Sequence, residues 1–344
     1  MFNCLTQYQT KPFRPQIDDI IKHICATDFP NNYEDLANMF HENFGNVSKM
    51  IDNPENLLDD STLVFMRTAK IILTERAPKR FGDPKATFYN IYVKYLENLH
   101  PLWDYLHQNT RNILSNANEN NMDSVHKYLK LLRYVDMIYI NLLCNGCLEM
   151  ALEYNFLFLF FNILSDSVLK ILMLILERAG ELANLCLEYG GKIGDLYKDL
   201  QKNLYAYLEN LNNLQSRFKL LFKEHLTEYL TLIEAVIQKS ECFQEENVLK
   251  IAVICLKSVL KTFEYYHEDA RLPGKTLADK YEEMQEICRQ KYYGFFTHAR
   301  IESFLNEFLI KLLPRRKFLT QIINADEIET FIDTGNFLWI FQKF

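Results

Sequence analysis

No proline interrupts this chain between Leu102 and Leu272, and apolar residues recur along that stretch at helical spacing. Proline is the residue most hostile to a helix interior, because it lacks the N–H and its ring clashes with the preceding turn. A run this long without one predicts many long helices packed side by side. The chain holds 10 Gly and 9 Pro. Several of them, Pro30, Pro54, Pro101, Gly146, Gly190–Gly191 and Pro273–Gly274, stand where helices are expected to end.

The 344 residues are 49% hydrophobic and 14% aromatic, enough for a large core. Net charge is −7, which argues against nucleic acid as the main partner, since phosphate contacts need a basic face. The eight cysteines (Cys4, Cys25, Cys144, Cys147, Cys186, Cys242, Cys255 and Cys288) are scattered, and Met1–Thr10 has neither the apolar run nor the cleavage pattern of a secretory signal. They read as reduced thiols of the cytosol or nucleus. Phe156–Leu176 has the length of a membrane span, but Asp166 and Lys170 sit near its middle. Mid-bilayer charge is costly, so a buried helix pair or a long core helix is expected, and no membrane insertion.

The periodicity predicts helices over Ile17–Thr27, Tyr33–Met50, Thr62–Glu75 with Ser61 as its cap, and from Pro84 to Leu99, resuming after Pro101. Asp52–Asp60 and the Asn-rich Ser115–Asp123 read as loops. Val125–Leu143 carries an apolar stripe through Tyr128, Leu131, Leu132, Val135, Ile138, Tyr139 and Leu142. Asp195–Phe222 carries the strongest one, through Leu196, Leu200, Leu204, Leu208, Leu211, Leu214, Phe218 and Leu221. Glu224–Gln238, Asn247–His267, Thr276–Tyr292, Arg300–Leu312 and Ala325–Asp333 follow, and no stretch alternates like a strand. About a dozen helices joined by short loops suit two-helix repeats of ~40–47 residues. The expected fold is all-α, an α-solenoid of HEAT-type antiparallel helix pairs over residues 1–335, with 336–344 an unmatched tail.

No motif for covalent chemistry stands out. Cys144-Asn145-Gly146-Cys147 is a lone C-x-x-C with no second pair to complete a zinc site. Pro273-Gly274-Lys275-Thr276 ends like a phosphate loop, but Asp269 stands where the first glycine belongs. Glu97/His100 and Glu264/His267 are Glu-x-x-His pairs of the kind a di-iron bundle uses, carrying little weight against chance placement. Asp18-Asp19 and Asp59-Asp60 lack the third aspartate of a prenyl-diphosphate site, and Pro314-Arg315-Arg316-Lys317 reads as a solvated basic turn. No catalytic, cofactor or metal residue is expected, and the chain is not read as an enzyme.

Several segments resemble, in order, the importin-beta (karyopherin) family of nuclear transport receptors, most closely its importin-eleven type. Ile17–Leu36 is similar to the early-repeat pattern D-x-P-x-x-W-P-x-L, with Asp28, Pro30 and Leu36 matching and Tyr33 at the usual Trp. Thr62–Trp103 resembles the next repeat, and Leu129–Arg133 with Asn145-Gly146 the one after. Ile323–Phe331 is similar to a worn W-x-x-D-P-x-x-F in which Phe331 matches and Glu327 stands for the Asp.

The resemblance implies a binding protein of cytoplasm and nucleus. It would take basic protein cargo, Phe-Gly nucleoporins and Ran in its GTP form. The family's first, Ran-gripping repeats have no counterpart before Ile17, which implies weakened Ran binding. The matched motifs are structural, so contact residues stay unassigned. The alternatives are another helical-repeat scaffold and an all-α di-iron enzyme. A compact chain of this length has a radius of gyration near ~20 Å; small-angle scattering is expected to give a clearly larger value, and a compact sphere would sink the solenoid reading.

Overall fold

The computed structural model describes residues 15–20, 23, 34–76, 84–143, 157–189, 194–217, 225–238, 246–264, 286–287 and 289–303. Among the described residues there is helix and turn but no strand. The labelled helices are α1 (Glu34–Lys49), α2 (Pro54–Leu57), α3 (Asp60–Arg76), α4 (Pro84–Ser115), α5 (Met122–Leu142), α6 (Leu157–Glu188), α7 (Gly194–Arg217), α8 (Leu226–Gln238) and α9 (Glu246–Glu264). The chain divides into two compact units. One is Met1–Arg178 with Gly191–Leu211, the other Ala179–Gly190 with Asn212–Phe344.

In the first unit α4 packs on α1 and on α5, and α5 packs on α3. Aromatic rings fill the space between α1, α3 and α4: Phe44 lies 5.4 Å from Phe65 and 5.3 Å from Tyr95, and Phe40 lies 5.9 Å from Phe65. Edge-on pairs of this kind add to the area they bury. Directions follow from the polar contacts. Tyr95 donates to the Ala37 carbonyl at 2.7 Å and the Asn98 amide to the His41 carbonyl at 3.0 Å, so α1 and α4 run parallel. Trp103 meets Asp136 and the Tyr128 hydroxyl donates to the Leu106 carbonyl, so α4 and α5 run antiparallel.

The α4–α5 turn is closed by asparagines. Asn121 Oδ1 accepts from the Asn118 N–H at 2.8 Å, and the Asn121 amide donates to the Asn116 carbonyl at 3.0 Å. Short polar side chains can stand in for backbone partners, which is why such clusters make turns. Beyond it, His126 meets Asp199 at 2.8 Å, Asn203 donates to the Leu129 carbonyl at 3.0 Å, and Asn141 donates to Asn210 at 3.1 Å. Residue numbers rise together on both helices, so α5 and α7 are parallel. Arg178 on α6 reaches Asp104 on α4 at 2.7 Å.

In the second unit α8 packs on α9. Ser258 on α9 donates to Gln215 at the end of α7 at 3.0 Å. Arg300 donates from Nε to Glu234 on α8 at 3.1 Å and lies 3.7 Å over the Phe295 ring.

The stripes on α5 and α7 are buried as expected, from Tyr128 to Leu142 and from Leu200 to Leu214. Three expectations fail. Asp52–Asp60 is not all loop, because Pro54 opens the one-turn helix α2, a position where its missing N–H costs nothing. Ser61 lies inside α3, which starts at Asp60. Pro101 does not divide α4. It leaves the carbonyl of Glu97, an exposed residue, without its helical donor. Tertiary contacts hold the helix on both sides: Leu99, Leu102 and Trp103 are fully buried, and the Ser48 hydroxyl donates to the Asn98 carbonyl. The helices expected over Ala325–Asp333 and most of Arg300–Leu312 fall outside the described residues. Because Pro101 is exposed and tolerated rather than required, Pro101→Ala is expected to raise stability by about 1–3 kcal/mol; a lower urea midpoint would show that the proline shapes the helix.

Candidate functional site

A polar centre lies buried between α4 and α5. Its register follows from the sequence, since Trp103 and His107 are one turn apart on the buried face of α4. Both reach the same atom. Trp103 Nε1 donates to Asp136 Oδ1 at 2.9 Å, and His107 Nε2 lies 2.7 Å from it. The side chains of His107 and Asp136 are each 1% exposed, so this contact is sealed from water. Asp136 Oδ2 is buried and has no hydrogen-bond partner among the described residues.

Aromatic rings wall the centre. Tyr139 stacks on Trp103 with centroids 4.7 Å apart, and Tyr207 of α7 meets the His107 ring edge-on at 5.7 Å. On the solvent side His100 Nδ1 lies 2.8 Å from the Tyr139 hydroxyl. A histidine beside a buried carboxylate resembles half of a hydrolytic triad, but a triad needs a nucleophile within reach and a place for substrate. Here the space around the pair is filled by Trp103, Tyr139 and Tyr207. The arrangement can fix two helices in register; it does not present a reacting group.

Of the residues weighed for metal chemistry, Glu97 and His100 lie in the first unit and Glu264 ends α9 in the second, while His267 is outside the described residues. Among the described residues no group of three or more His, Cys, Asp or Glu could hold a metal ion. Asp60 pairs with Lys127 at 3.0 Å and Asp18 with Arg67, so these carboxylates tie segments together. Cys144, Cys147, Pro273–Thr276 and Pro314–Lys317 lie outside the described residues. No described helix is long and apolar enough to cross a membrane; within α6, Leu172, Ile175, Leu182 and Cys186 are buried. Asp136 escaped the sequence reading, although a lone carboxylate inside an apolar stripe was the signal available.

Comparison with known proteins brings no match: no family model, no curated protein and no solved structure matches the chain.

Burial also sets the chemistry of the cysteines and tyrosines. Desolvation pushes the Cys255 thiol up to about 12 from 9.0, partly offset by its contact with the Tyr229 hydroxyl. Cys186 is raised by the same cause. Thiols so placed are poor nucleophiles. Desolvation likewise raises Tyr95, Tyr128 and Tyr292 well above 10.0. In each case the neutral form is favoured in the folded state, so the folded chain holds more protons than the unfolded one at alkaline pH. Stability from these groups is therefore complete below pH 9 and is lost as pH climbs past the unfolded values. Urea midpoints are expected to fall from about pH 9 upward; a midpoint constant to pH 11 would contradict this burial.

Proposed function

We propose that this chain is a binding protein built from stacked helix pairs, of the nuclear-transport-receptor kind, acting through its surface without covalent chemistry. One observation carries the reading. Sequence neighbours α4 and α5 are antiparallel, whereas α1 with α4, and α5 with α7, are parallel and in direct hydrogen-bond contact. In a plain up-and-down bundle the parallel helices are diagonal and touch least. Side-by-side parallel contact between alternate helices is what stacked two-helix repeats require. The second unit supports the same reading through α8 on α9 and the Ser258–Gln215 bond from α9 to the end of α7.

The resemblance of Ile17–Leu36, Thr62–Trp103 and Leu129–Arg133 to importin-beta receptors gives the stack its occupants. Basic cargo and Phe-Gly nucleoporin segments bind along it, and Ran in its GTP form competes with cargo. Weak contacts between repeats let such a stack change curvature, so a ligand that prefers another curvature releases cargo. Surface plasmon resonance on the purified chain tests this. Immobilised Phe-Gly repeat peptide and a basic import cargo are each expected to retain it, with Ran–GTP binding weak. Retention by neither would leave a scaffold outside nuclear transport, and stoichiometric iron in the purified protein would favour the di-iron enzyme.

A further inference from the structure

The solvent-facing stripe of α5 has one sign of charge. From Lys127 to Asn141 it presents Lys127, Lys130, Arg133, Tyr134 and Met137 and no carboxylate. Asp136, the carboxylate on that stretch, is turned inward and fully buried. The parallel neighbour α7 extends the charge, with Lys198 and Lys202 exposed beside the seam. Three of these cations are already engaged: Lys127 lies 3.0 Å from Asp60 and 3.5 Å from Asp123, Lys202 lies 3.4 Å from Asp199, and Lys198 has an interaction of its own. Asp199 also holds His126 at 2.8 Å. Lys130 and Arg133 carry no carboxylate partner among the described residues; Arg133 leans on the Tyr134 ring at 5.8 Å. They stand one turn apart on the same face of α5, ~4.5 Å along the axis.

We propose that this ridge on α5 and α7 docks an acidic segment of a protein partner, with carboxylates on Lys130 and Arg133 and an apolar side chain against Tyr134 and Met137. Charge complementarity selects the occupant. The chain as a whole carries −7, so a long polyanion such as nucleic acid is repelled by the rest of the surface. Screening limits each charge to about 8 Å at physiological salt, so a short acidic segment feels the ridge and little else. Cations at an exposed patch act mainly on association rate and choice of partner. The docking surface is separate from the basic-cargo reading above, and its partner has the opposite charge, so either idea can fail without the other.

The test uses the full chain and a short fluorescein-labelled peptide of alternating Glu and Phe, followed by anisotropy and stopped flow. The wild-type chain is expected to bind it with an affinity that falls steeply between about 50 and 300 mM salt. Lys130→Glu with Arg133→Glu is expected to weaken binding at least about tenfold, mostly through slower association. The neutralising pair Lys130→Gln with Arg133→Gln should lie between, guarding against loss of fold in the reversal. Lys94→Glu, exposed on α4, should leave binding unchanged. No peptide binding, equal binding by the reversed variant, or tighter binding of a single-stranded DNA oligonucleotide than of the peptide would each overturn the proposal.

Discussion

One carboxylate oxygen sets the register of the first unit. Asp136 Oδ1 takes Trp103 Nε1 at 2.9 Å and His107 Nε2 at 2.7 Å, so one atom of α5 holds two side chains of α4, and a shift of either helix along its axis would pull them apart. A buried charge left unpaired costs several kcal/mol, roughly 3–5, so slippage by a turn is strongly disfavoured. The apolar residues beside it, Leu99, Leu106, Leu132 and Ile138, are buried by a non-directional attraction that names no single level. Hydrophobic packing supplies the attraction, and the polar centre selects one arrangement.

The same division of labour recurs at the α5–α7 seam. Leu200, Leu204, Leu208 and Leu211 give α7 its buried face, while the contacts of His126, Asn203 and Asn141 tie the two parallel helices at three levels. Asn203 is nearly fully buried and bonds backbone carbonyls on both helices, Leu129 on α5 and Asp199 on its own. A side-chain amide that reaches a carbonyl across a helix pair fixes distance and level together, which leucines cannot.

Helix number and buried faces were legible in the sequence because 3.6-residue periodicity survives any detail of packing. The leucine ladder of α7 and the stripe of α5 lie where spacing put them. Punctuation was less legible. Pro101 and Pro54 both read as breaks, yet one sits mid-helix and the other opens a helix, since tertiary burial on either side outweighs one lost hydrogen bond. The sequence could flag Asp136 as a carboxylate inside an apolar stripe, but its partners were out of reach for a different reason. Its meaning depends on Trp103 and His107 about thirty residues earlier (separations of 33 and 29), and periodicity on one helix says nothing of which side chain it will face on another.

Among the described residues, the cross-helix polar contacts named above link residues 22 to 74 apart in the first unit, and 43 and 66 apart in the second. During synthesis these described helices therefore meet the partners named here soon after they leave the ribosome. A chain that emerges at about 5–20 residues per second exposes the apolar face of any one helix for only several seconds before a neighbour covers it. Contacts this local let a protein with about half its residues apolar be built progressively, each buried helix face finding cover close behind it in the chain.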